Sequence, residues 1–411
     1  MEPLNIGILG STGSIGQSTL QVADRFPGRL HVAALAASRS VETLAAQVRK
    51  YNPELVALAD HSQADALRAR LRDFQGRIMF GSEGLNAVAT WPSIQTLVVA
   101  VVGFAGAEPT LAAIKAGKNI ALANKETLVA AGAIVMPQAR QRGVTIAPID
   151  SEHSAVWQCL RAGERHEVRR IVLTASGGPF RTRPLATFDS ITPQEALAHP
   201  TWRMGPRITI DSATMMNKAF EIIEATWLFG LDPDQIDVVI HPQSIVHSLV
   251  EYRDGSVIAQ LGPPDMTLPI TYALLGPDRP DSENGPRPLD LAKVGPLEFM
   301  PPDPNRYPAL SLARRAVAMG PTAGAVLNAA DEIAVAAFLD SRIPFTRIVG
   351  LIEETLDAHT VIRDPGFDDI AAVDGWAREY VSDRLSGLPS KTVASIPLVG
   401  DIGLGMEARR M

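Results

Sequence analysis

The first 150 residues alternate between short apolar runs and stretches with helical periodicity. Six apolar runs have the length of buried strands: residues 4–9, 31–36, 55–59, 96–102, 119–123 and 144–149. Apolar residues between them recur at helical spacing, as over residues 41–50 and 126–142. Because strand–helix alternation requires crossover connections, the pattern predicts an α/β domain over residues 1–150 with a doubly wound parallel sheet. Ligands of such sheets bind beyond the carboxyl ends of the strands.

The pattern changes after residue 150. Strand-like runs and a hairpin signal at Asp254-Gly255 predict a central α/β domain over residues 151–275 with a partly antiparallel sheet. These runs are residues 168–174, 208–210, 238–240, 245–252 and 256–261. Residues 276–308 are dense in Pro, Gly, Asp and Asn and are predicted to form a linker. A helical C-terminal domain is predicted over residues 309–411, with helices at 309–319, 323–339, 347–359 and 370–385.

Composition and charge narrow the possible partners. The chain has 411 residues and a formal net charge of -7, so we expect several domains and no general attraction to DNA or RNA. The longest apolar run, residues 97–102, is far shorter than a membrane span, and no signal or transit segment precedes the first strand. Cys159 is the single cysteine, which excludes an internal disulfide and favours a reducing compartment. We therefore expect a cytoplasmic protein.

A glycine loop follows the first predicted strand. Gly10-Ser-Thr-Gly13-Ser-Ile-Gly16 opens a predicted helix, and glycines there let the backbone approach a pyrophosphate at the helix N-terminus. The spacing alone also fits an ordinary turn, but the position favours a Rossmann-like dinucleotide site. The second strand leads into Ser38-Arg39-Ser40 rather than an acidic residue. A cation between two hydroxyl groups suits the 2′-phosphate of NADPH, although Arg39 taken alone could be a solvated surface residue.

Two carboxylates follow the last strand of the parallel sheet. Asp150 and Glu152 lie two residues apart at a strand end, where an open α/β sheet places its ligands. Hard oxygen ligands point to Mg²⁺ or Mn²⁺ rather than zinc. Acidic residues near a helix start are more often caps or partners of the helix dipole, so this pair alone leaves both interpretations open.

A second polar cluster lies at residues 211–221. The segment is predicted to form a helix with Ser212 near its start, and its spacing places Asn217, Lys218 and Glu221 on one face. The amide, amine and hydroxyl groups could hold a phosphate, while Glu221 could add a third carboxylate. An exposed Lys218–Glu221 pair is the alternative. Ser176 begins a glycine-bearing turn after the strand at 168–174, which could add backbone donors or only end the strand.

A loop at residues 199–206 combines bulky and rigid residues. Trp202 and Met204 lie between Pro200, Gly205 and Pro206, a composition that fits a loop folding over a ligand. The same side chains could equally attach the loop to the core.

Together these motifs resemble the 1-deoxy-D-xylulose 5-phosphate reductoisomerase family over nearly the whole chain. The resemblance rests on GSTGSIG (10–16), LANKE (122–126), DSEH (150–153), SGGPF (176–180), HPTWRMG (199–205), DSATMMNK (211–218) and HPQSIVHS (241–248). Several of these motifs are long and specific to the family, unlike the glycine loop alone.

The resemblance implies three groups of site residues. NADPH would contact, besides Ser38-Arg39-Ser40, the residues Thr12, Gly13, Ser14, Ile15, Asn124, Glu126 and Gly205. A divalent cation (Mg²⁺, Mn²⁺ or Co²⁺) would be held by Asp150, Glu152 and Glu221, which with Lys125 form the implied catalytic set. The substrate would contact Lys125, Ser151, Glu152, Ser176, His199, Trp202, Met204, Ser212, Asn217, Lys218 and Glu221.

The implied reaction converts 1-deoxy-D-xylulose 5-phosphate to 2-C-methyl-D-erythritol 4-phosphate in the non-mevalonate route to isoprenoid precursors. A metal-assisted carbon-skeleton rearrangement, retro-aldol or α-ketol, is followed by hydride transfer from NADPH. The resemblance also implies a homodimer built on the central sheet. Two alternatives remain: an NADP-dependent semialdehyde dehydrogenase, which would need Cys159 as a thiolate nucleophile, and a non-catalytic NADPH-binding sensor, which would need no carboxylate cluster.

Overall fold

The computed structural model describes residues 2–198, 204–281, 285–286 and 288–386. Its N-terminal part contains a parallel sheet in the order β4-β3-β2-β1-β5-β6-β7. The strands are β1 (Leu4–Leu9), β2 (Leu30–Ala37), β3 (Leu55–Leu58), β4 (Arg77–Phe80), β5 (Thr96–Val99), β6 (Asn119–Leu122) and β7 (Ile146–Pro148). They alternate with α1 (Ser14–Arg25), α2 (Val41–Tyr51), α3 (Ala64–Arg70), α4 (Gly81–Ala89), α5 (Ala107–Lys115) and α6 (Lys125–Arg142). The doubly wound sheet predicted from the sequence is confirmed.

The sequence pattern predicted six strands and missed β4 at the sheet edge. Its four residues are exposed or half-buried, because an edge strand has one neighbouring strand and less cover from helices. A strand of this kind lacks the continuous apolar run that marks buried parallel strands. The order of the central strands, which positions the ligand edge of the sheet, is unaffected.

The central part of the chain forms a smaller mixed sheet in the order β11-β10-β8-β9. Strand β10 is antiparallel to β8 and β11, whereas β8 and β9 are parallel. The predicted hairpin is confirmed: Gly255 has φ 89°, and Tyr252 N donates to Ser256 O at 2.9 Å. The elements here are α7 (Ser151–Cys159), β8 (Val168–Ala175), α8 (Pro193–Ala196), α9 (Pro206–Thr214), α10 (Met216–Phe229), β9 (Ile236–Ile240), β10 (Val246–Tyr252), β11 (Val257–Leu261) and α11 (Thr267–Leu275).

The predicted strand at residues 208–210 is wrong, since these residues lie inside α9. Pro206 occupies the first helical turn, where its fixed φ and missing N–H group favour a helix start. Thr209 Oγ1 donates to Gly205 O at 2.8 Å and tightens the same turn. An apolar pattern of three residues is too short to separate a strand from a buried helical turn.

The helices of the rest of the described chain are α12 (Leu291–Val294), α13 (Ala309–Met319), α14 (Ala323–Leu339), α15 (Arg347–Asp357) and α16 (Phe367–Leu385). The predicted linker contains α12 and a strand-like pairing of Met300 with Ile240. Helix α14 crosses α6 at backbone contact, because a Cβ on Gly324 would lie 1.9 Å from Val129 O. The C-terminal helices therefore pack directly against a helix that starts at the ligand edge of the parallel sheet. Within the described ranges, no helix has the length and apolarity needed to cross a membrane.

Candidate active site

The glycine loop lies at the point where the strand order of the parallel sheet reverses. The loops after β1 and β5, adjacent strands, flank the crevice in which such sheets bind ligands. Gly10 has φ 84°, and a Cβ there would lie 2.5 Å from Ala100 O; a Cβ on Gly16 would lie 2.2 Å from Gly10 O. Both positions thus require glycine. The predicted cofactor residues at the start of α1 are partly or fully exposed, with no acidic residue in the first turn: Thr12, Gly13, Ser14 and Ile15.

Arg39 is exposed directly after β2, between Ser38 and Ser40. It therefore lies beyond the end of the strand that neighbours β1 and its glycine loop, as the sequence predicted. The structure adds a neighbour from the loop after β3: Asp60, whose N–H group donates to Ser38 O at 2.9 Å. Hydrogen bonds from Ser62 hold the pKa of Asp60 below its usual value, and Arg39 contributes in the same direction. The Asp60 carboxylate is thus hydrogen-bonded within its own turn. The contact of Arg39 with the 2′-phosphate stays a prediction.

Asn124 and Glu126 fix the loop after β5 to the start of α6. The buried Asn124 Nδ2 donates to Gly103 O at 3.0 Å and to Glu126 Oε2 at 2.7 Å. Glu126 Oε1 accepts from Gly103 N at 3.1 Å and from Arg207 Nη1 at 3.2 Å. Two predicted cofactor residues therefore belong to one hydrogen-bonded group beside the crevice. A third, Gly205, is exposed directly before α9, which carries Arg207.

The three carboxylates expected to bind metal converge. One oxygen atom from each of Asp150, Glu152 and Glu221 lies within 4.8 Å of the others. Asp150 is the cap of α7, because its Oδ1 accepts from Glu152 N (3.1 Å) and His153 N (3.4 Å), and its role as a metal ligand stays a prediction. Its Oδ2 instead lies 2.8 Å from Lys125 Nζ. The all-oxygen donor set fits Mg²⁺ or Mn²⁺.

Two buried lysines contact the carboxylates. Lys125 Nζ, besides its contact with Asp150, donates to Asn217 Oδ1 at 2.7 Å and lies 3.5 Å from Glu221 Oε1. Lys218 Nζ donates to Glu221 Oε2 and lies 3.8 Å from Glu152 Oε2. The alternative of an exposed Lys218–Glu221 pair is wrong, because the two residues are 4% and 0% exposed. We call these six residues, including Asn217, the lysine–carboxylate cluster.

Burial opposes ionisation in the cluster, and neighbouring charges determine whether the pKa of each group rises or falls. Burial would raise the pKa of Asp150, yet Lys125, His153 and Lys218 together outweigh burial and hold that pKa well below its usual range. Burial, with a smaller contribution from Glu221, raises the pKa of Glu152 to about 8 against the opposing charge of Lys218. Despite burial, the pKa of Lys125 lies well above its usual value because carboxylates surround it. A cation binding here would therefore displace a proton from Glu152.

Met215, a residue with a left-handed backbone, separates α9 from α10, so the predicted single helix is two helices. Met215 has φ 64°, so Ser212 lies near the end of α9, whereas Asn217 and Lys218 lie in the first turn of α10. The turn after β8 meets this point: a Cβ on Gly178 would lie 2.8 Å from Ser212 O. Ser176 Oγ accepts from Gly178 N at 3.2 Å. The turn of Ser176, the end of α9 and the N-terminus of α10 thus meet, an arrangement suited to an anion.

His153 and Glu224 belong to the site and were not selected from the sequence. The His153 ring bonds through Nε2 to Glu221 O at 3.0 Å, and its Nδ1 lies 3.3 Å from both Asp150 Oδ1 and Glu224 Oε2. Burial opposes its charge, but Glu224 and Asp150 raise the pKa of His153 to about 9; burial raises the pKa of Glu224 to about 7. Asp150, His153 and Glu224 form a second group that could hold a metal ion. The spacing of Glu224, three residues after Glu221, was the available sequence signal.

The structure describes only one of the three substrate residues predicted in the loop at 199–206. His199 and Trp202 lie outside the described residues, while Met204 is half-buried just before α9. Ser151, predicted to contact substrate, donates to Glu152 Oε2 at 3.0 Å in the first turn of α7.

The single thiol is unsuited to nucleophilic catalysis. Cys159 is buried at the end of α7, and burial raises its pKa to about 11. A thiol in this state is neutral at physiological pH, which argues against the semialdehyde dehydrogenase alternative.

A dinucleotide crevice bordering a buried lysine–carboxylate cluster defines an NADP-dependent oxidoreductase with a metal site. Three family models match the chain. The model of 1-deoxy-D-xylulose 5-phosphate reductoisomerase matches residues 6–132, and the model of the C-terminal domain of that enzyme matches residues 146–229. A further model, of the DXP reductoisomerase C-terminal domain, matches residues 261–380. The chain belongs to the 1-deoxy-D-xylulose 5-phosphate reductoisomerase family.

Individual relatives are similar to this chain over nearly its full length. The 1-deoxy-D-xylulose 5-phosphate reductoisomerases of Symbiobacterium thermophilum and Heliobacterium modesticaldum are 54% and 51% identical, each covering 92% of this chain and 98% and 97% of their own. The Zymomonas mobilis enzyme in complex with NADPH superposes with a TM-score of 0.88 at 42% identity, covering 94% of this chain and 100% of that one. A DOX-P reductoisomerase in complex with NADPH, fosmidomycin and magnesium has a TM-score of 0.88 at 40% identity, covering 93% and 98%.

Proposed function

We propose that this chain converts 1-deoxy-D-xylulose 5-phosphate to 2-C-methyl-D-erythritol 4-phosphate with NADPH and a divalent cation. The observation that carries the proposal is that three consecutive residues at the start of α6 contact two different parts of the site. Asn124 and Glu126 bind the loop beside the nucleotide crevice, while Lys125 between them contacts Asp150 and Asn217 in the lysine–carboxylate cluster. A cofactor in the crevice and a substrate on the cluster would therefore be neighbours, as hydride transfer requires.

The cofactor is held by the glycine loop and the strand ends beside it. Thr12, Gly13, Ser14 and Ile15 offer backbone and hydroxyl donors to the pyrophosphate at the start of α1, and Arg39 binds the 2′-phosphate. The solved relatives that bind NADPH support this assignment.

The cation is held by Asp150, Glu152 and Glu221, and it supplies Lewis-acid polarisation of the substrate's oxygen atoms when bound. Lys125 and Lys218 balance the carboxylate charge and keep the three groups close. The magnesium complexes of solved relatives support a hard divalent ion.

The phosphate end of the substrate is recognised where α9 and α10 meet the turn after β8. Lys218, Asn217, Ser212 and Ser176 supply donors there, and the N-terminus of α10 adds a favourable dipole. Fosmidomycin complexes of solved relatives support a small anionic ligand of this kind.

The enzyme acts as a homodimer through its mixed sheet. Strand β11 is an edge strand, and Val257 and Ile258 on it are 52% and 38% exposed. An exposed apolar edge of an antiparallel pair is a surface that a second copy can cover. The buried thiol of Cys159 needs no oxidising compartment, in agreement with a cytoplasmic location.

Turnover of the full chain tests the function. With 1-deoxy-D-xylulose 5-phosphate and Mg²⁺, we expect loss of NADPH absorbance and formation of 2-C-methyl-D-erythritol 4-phosphate, abolished by EDTA and restored by excess Mg²⁺. NADPH binding without turnover would instead support a sensor. Activity on a semialdehyde that disappears in Cys159→Ala would support the dehydrogenase.

A further inference from the structure

Arg207 lies in the first turn of α9, and its guanidinium joins elements that are distant in sequence. Only 17% of the side chain is exposed. Its Nη1 donates to Glu126 Oε1 at 3.2 Å, at the start of α6, and to Glu332 Oε1 at 2.6 Å, on α14. One nitrogen atom therefore links a predicted cofactor residue to a C-terminal helix.

The remaining donors of Arg207 are fixed by α14. Its Nε and Nη2 donate to Asp331 Oδ2 at 3.3 and 3.1 Å, and Nη2 also donates to Asn328 Oδ1 at 2.8 Å. Helix α14 is tied in turn to α16, since Arg378 Nη1 lies 2.6 Å from Glu332 Oε2. The planar guanidinium is thus held on both edges, which limits its rotation.

Glu126 is the end of this network that faces the crevice. Its second oxygen accepts from Asn124, and its first is shared between Gly103 N and Arg207 Nη1. Gly103, in the loop after β5, approaches α14 closely enough that a Cβ would lie 2.6 Å from Glu332 Oε1. The loop, α6, α9 and α14 therefore meet at one point.

We propose that Arg207 is a positioning residue for the dinucleotide: it orients the Glu126 carboxylate and holds the start of α9, with Gly205 two residues before it, in the arrangement that NADPH binds. The inference rests on the proposed NADPH-dependent function. A carboxylate oriented by three donors can only accept from the ligand, so it would take a hydroxyl or amide N–H group of the cofactor. Helix α14 thereby contributes to cofactor binding without touching the cofactor.

The local charges determine which variant is informative. Four carboxylates surround Arg207, from Glu126, Asp211, Asp331 and Glu332. Burial, and then the proximity of Asp331, raise the pKa of Asp211 well above its usual value. A neutral residue at position 207 would leave buried carboxylates without their cation and could unfold the chain. Arg207→Lys keeps the charge but has a single nitrogen atom in place of the planar fork, so it cannot keep the bond to Glu126 together with the bonds to Asn328 and Asp331 on α14.

NADPH titration of the full chain without substrate tests the proposal. We expect Arg207→Lys to raise the Kd of NADPH by about tenfold, as for the loss of one charge-assisted hydrogen bond. The Kd of NADH should rise by the same factor, because Arg207 is not the residue proposed to bind the 2′-phosphate. At saturating NADPH, kcat should change much less than the KM of the cofactor.

Arg378→Lys is the matched control, because Arg378 contacts Glu332 but not Glu126. It should lower the melting temperature to a similar extent and leave the Kd of NADPH unchanged. In a Glu126→Gln background, the effect of Arg207→Lys on the Kd should shrink. An unchanged Kd in Arg207→Lys, or an equal rise in Arg378→Lys, would overturn the proposal. A wild-type chain that does not bind NADPH would instead refute the proposed function.

Discussion

Replacing Glu221 by Gln removes one negative charge from the lysine–carboxylate cluster while nearly keeping its shape. Each lysine retains an acidic partner, Lys125 with Asp150 at 2.8 Å and Lys218 with Glu152 at 3.8 Å. The loss of stability should therefore stay below the roughly 3–5 kcal/mol typical of breaking a buried ion pair. The contact of one charged ligand with the cation contributes about 1.5–3 kcal/mol of binding free energy. Losing it should raise the Mg²⁺ concentration for half-maximal activity by about ten- to a hundredfold. The lower end is expected, because Glu221 raises the pKa of Glu152, which would ionise more readily without it.

Glu224→Gln provides a control on the same helix. Glu224 is equally buried but faces His153 in the second candidate metal group rather than Glu152. Mg²⁺ titrations of NADPH oxidation for both variants, with melting temperatures beside them, separate a lost ligand from a lost buried carboxylate. The reasoning is refuted if Glu224→Gln raises the Mg²⁺ requirement and Glu221→Gln does not, since the cation would then lie between Asp150, His153 and Glu224.

Three further predictions concern the cofactor, the phosphate and pH. Arg39→Ala should raise the KM of NADPH by about tenfold or more and leave that of NADH unchanged, so steady-state kinetics with an unaltered cofactor preference would contradict the 2′-phosphate contact. Lys218→Met should weaken fosmidomycin much more than a non-phosphorylated hydroxamate in inhibition assays; equal losses would mean that Lys218 mainly balances charge in the cluster. Burial raises the pKa of Asp331 to about 6, so its stabilising contribution is complete below about pH 4 and is lost as pH rises through about 6. Between those limits, urea unfolding should show Asp331→Asn gaining up to about 3 kcal/mol relative to wild type, and a pH-independent difference would contradict it.

The elements best predicted from the sequence were those whose pattern repeats over many residues. Long helices such as the amphipathic α13 and the largely buried α14 begin and end where the sequence pattern predicted. Short elements were less predictable: β4 is a half-exposed edge strand, and the apolar run at residues 208–210 proved helical because Pro206 starts a helix. The break between α9 and α10 at Met215 was also missed, since positive φ at a buried methionine has no local sequence signal.

The sequence by itself determined the chemical groups of the site and their order along the chain. Glycines that exclude a side chain, carboxylates at a strand end and donors spaced three and four apart on a helix are local properties, so motifs could identify them. Only the tertiary structure decided which of these groups meet. Lys125 donates to Asp150 and also to Asn217, which lies on another helix. Arg207 contacts α14, which lies more than a hundred residues away in the sequence. Such contacts depend on how helices cross and which faces are buried. Burial then sets the charges, because the same glutamate that is ionised in water has a pKa of about 8 at position 152.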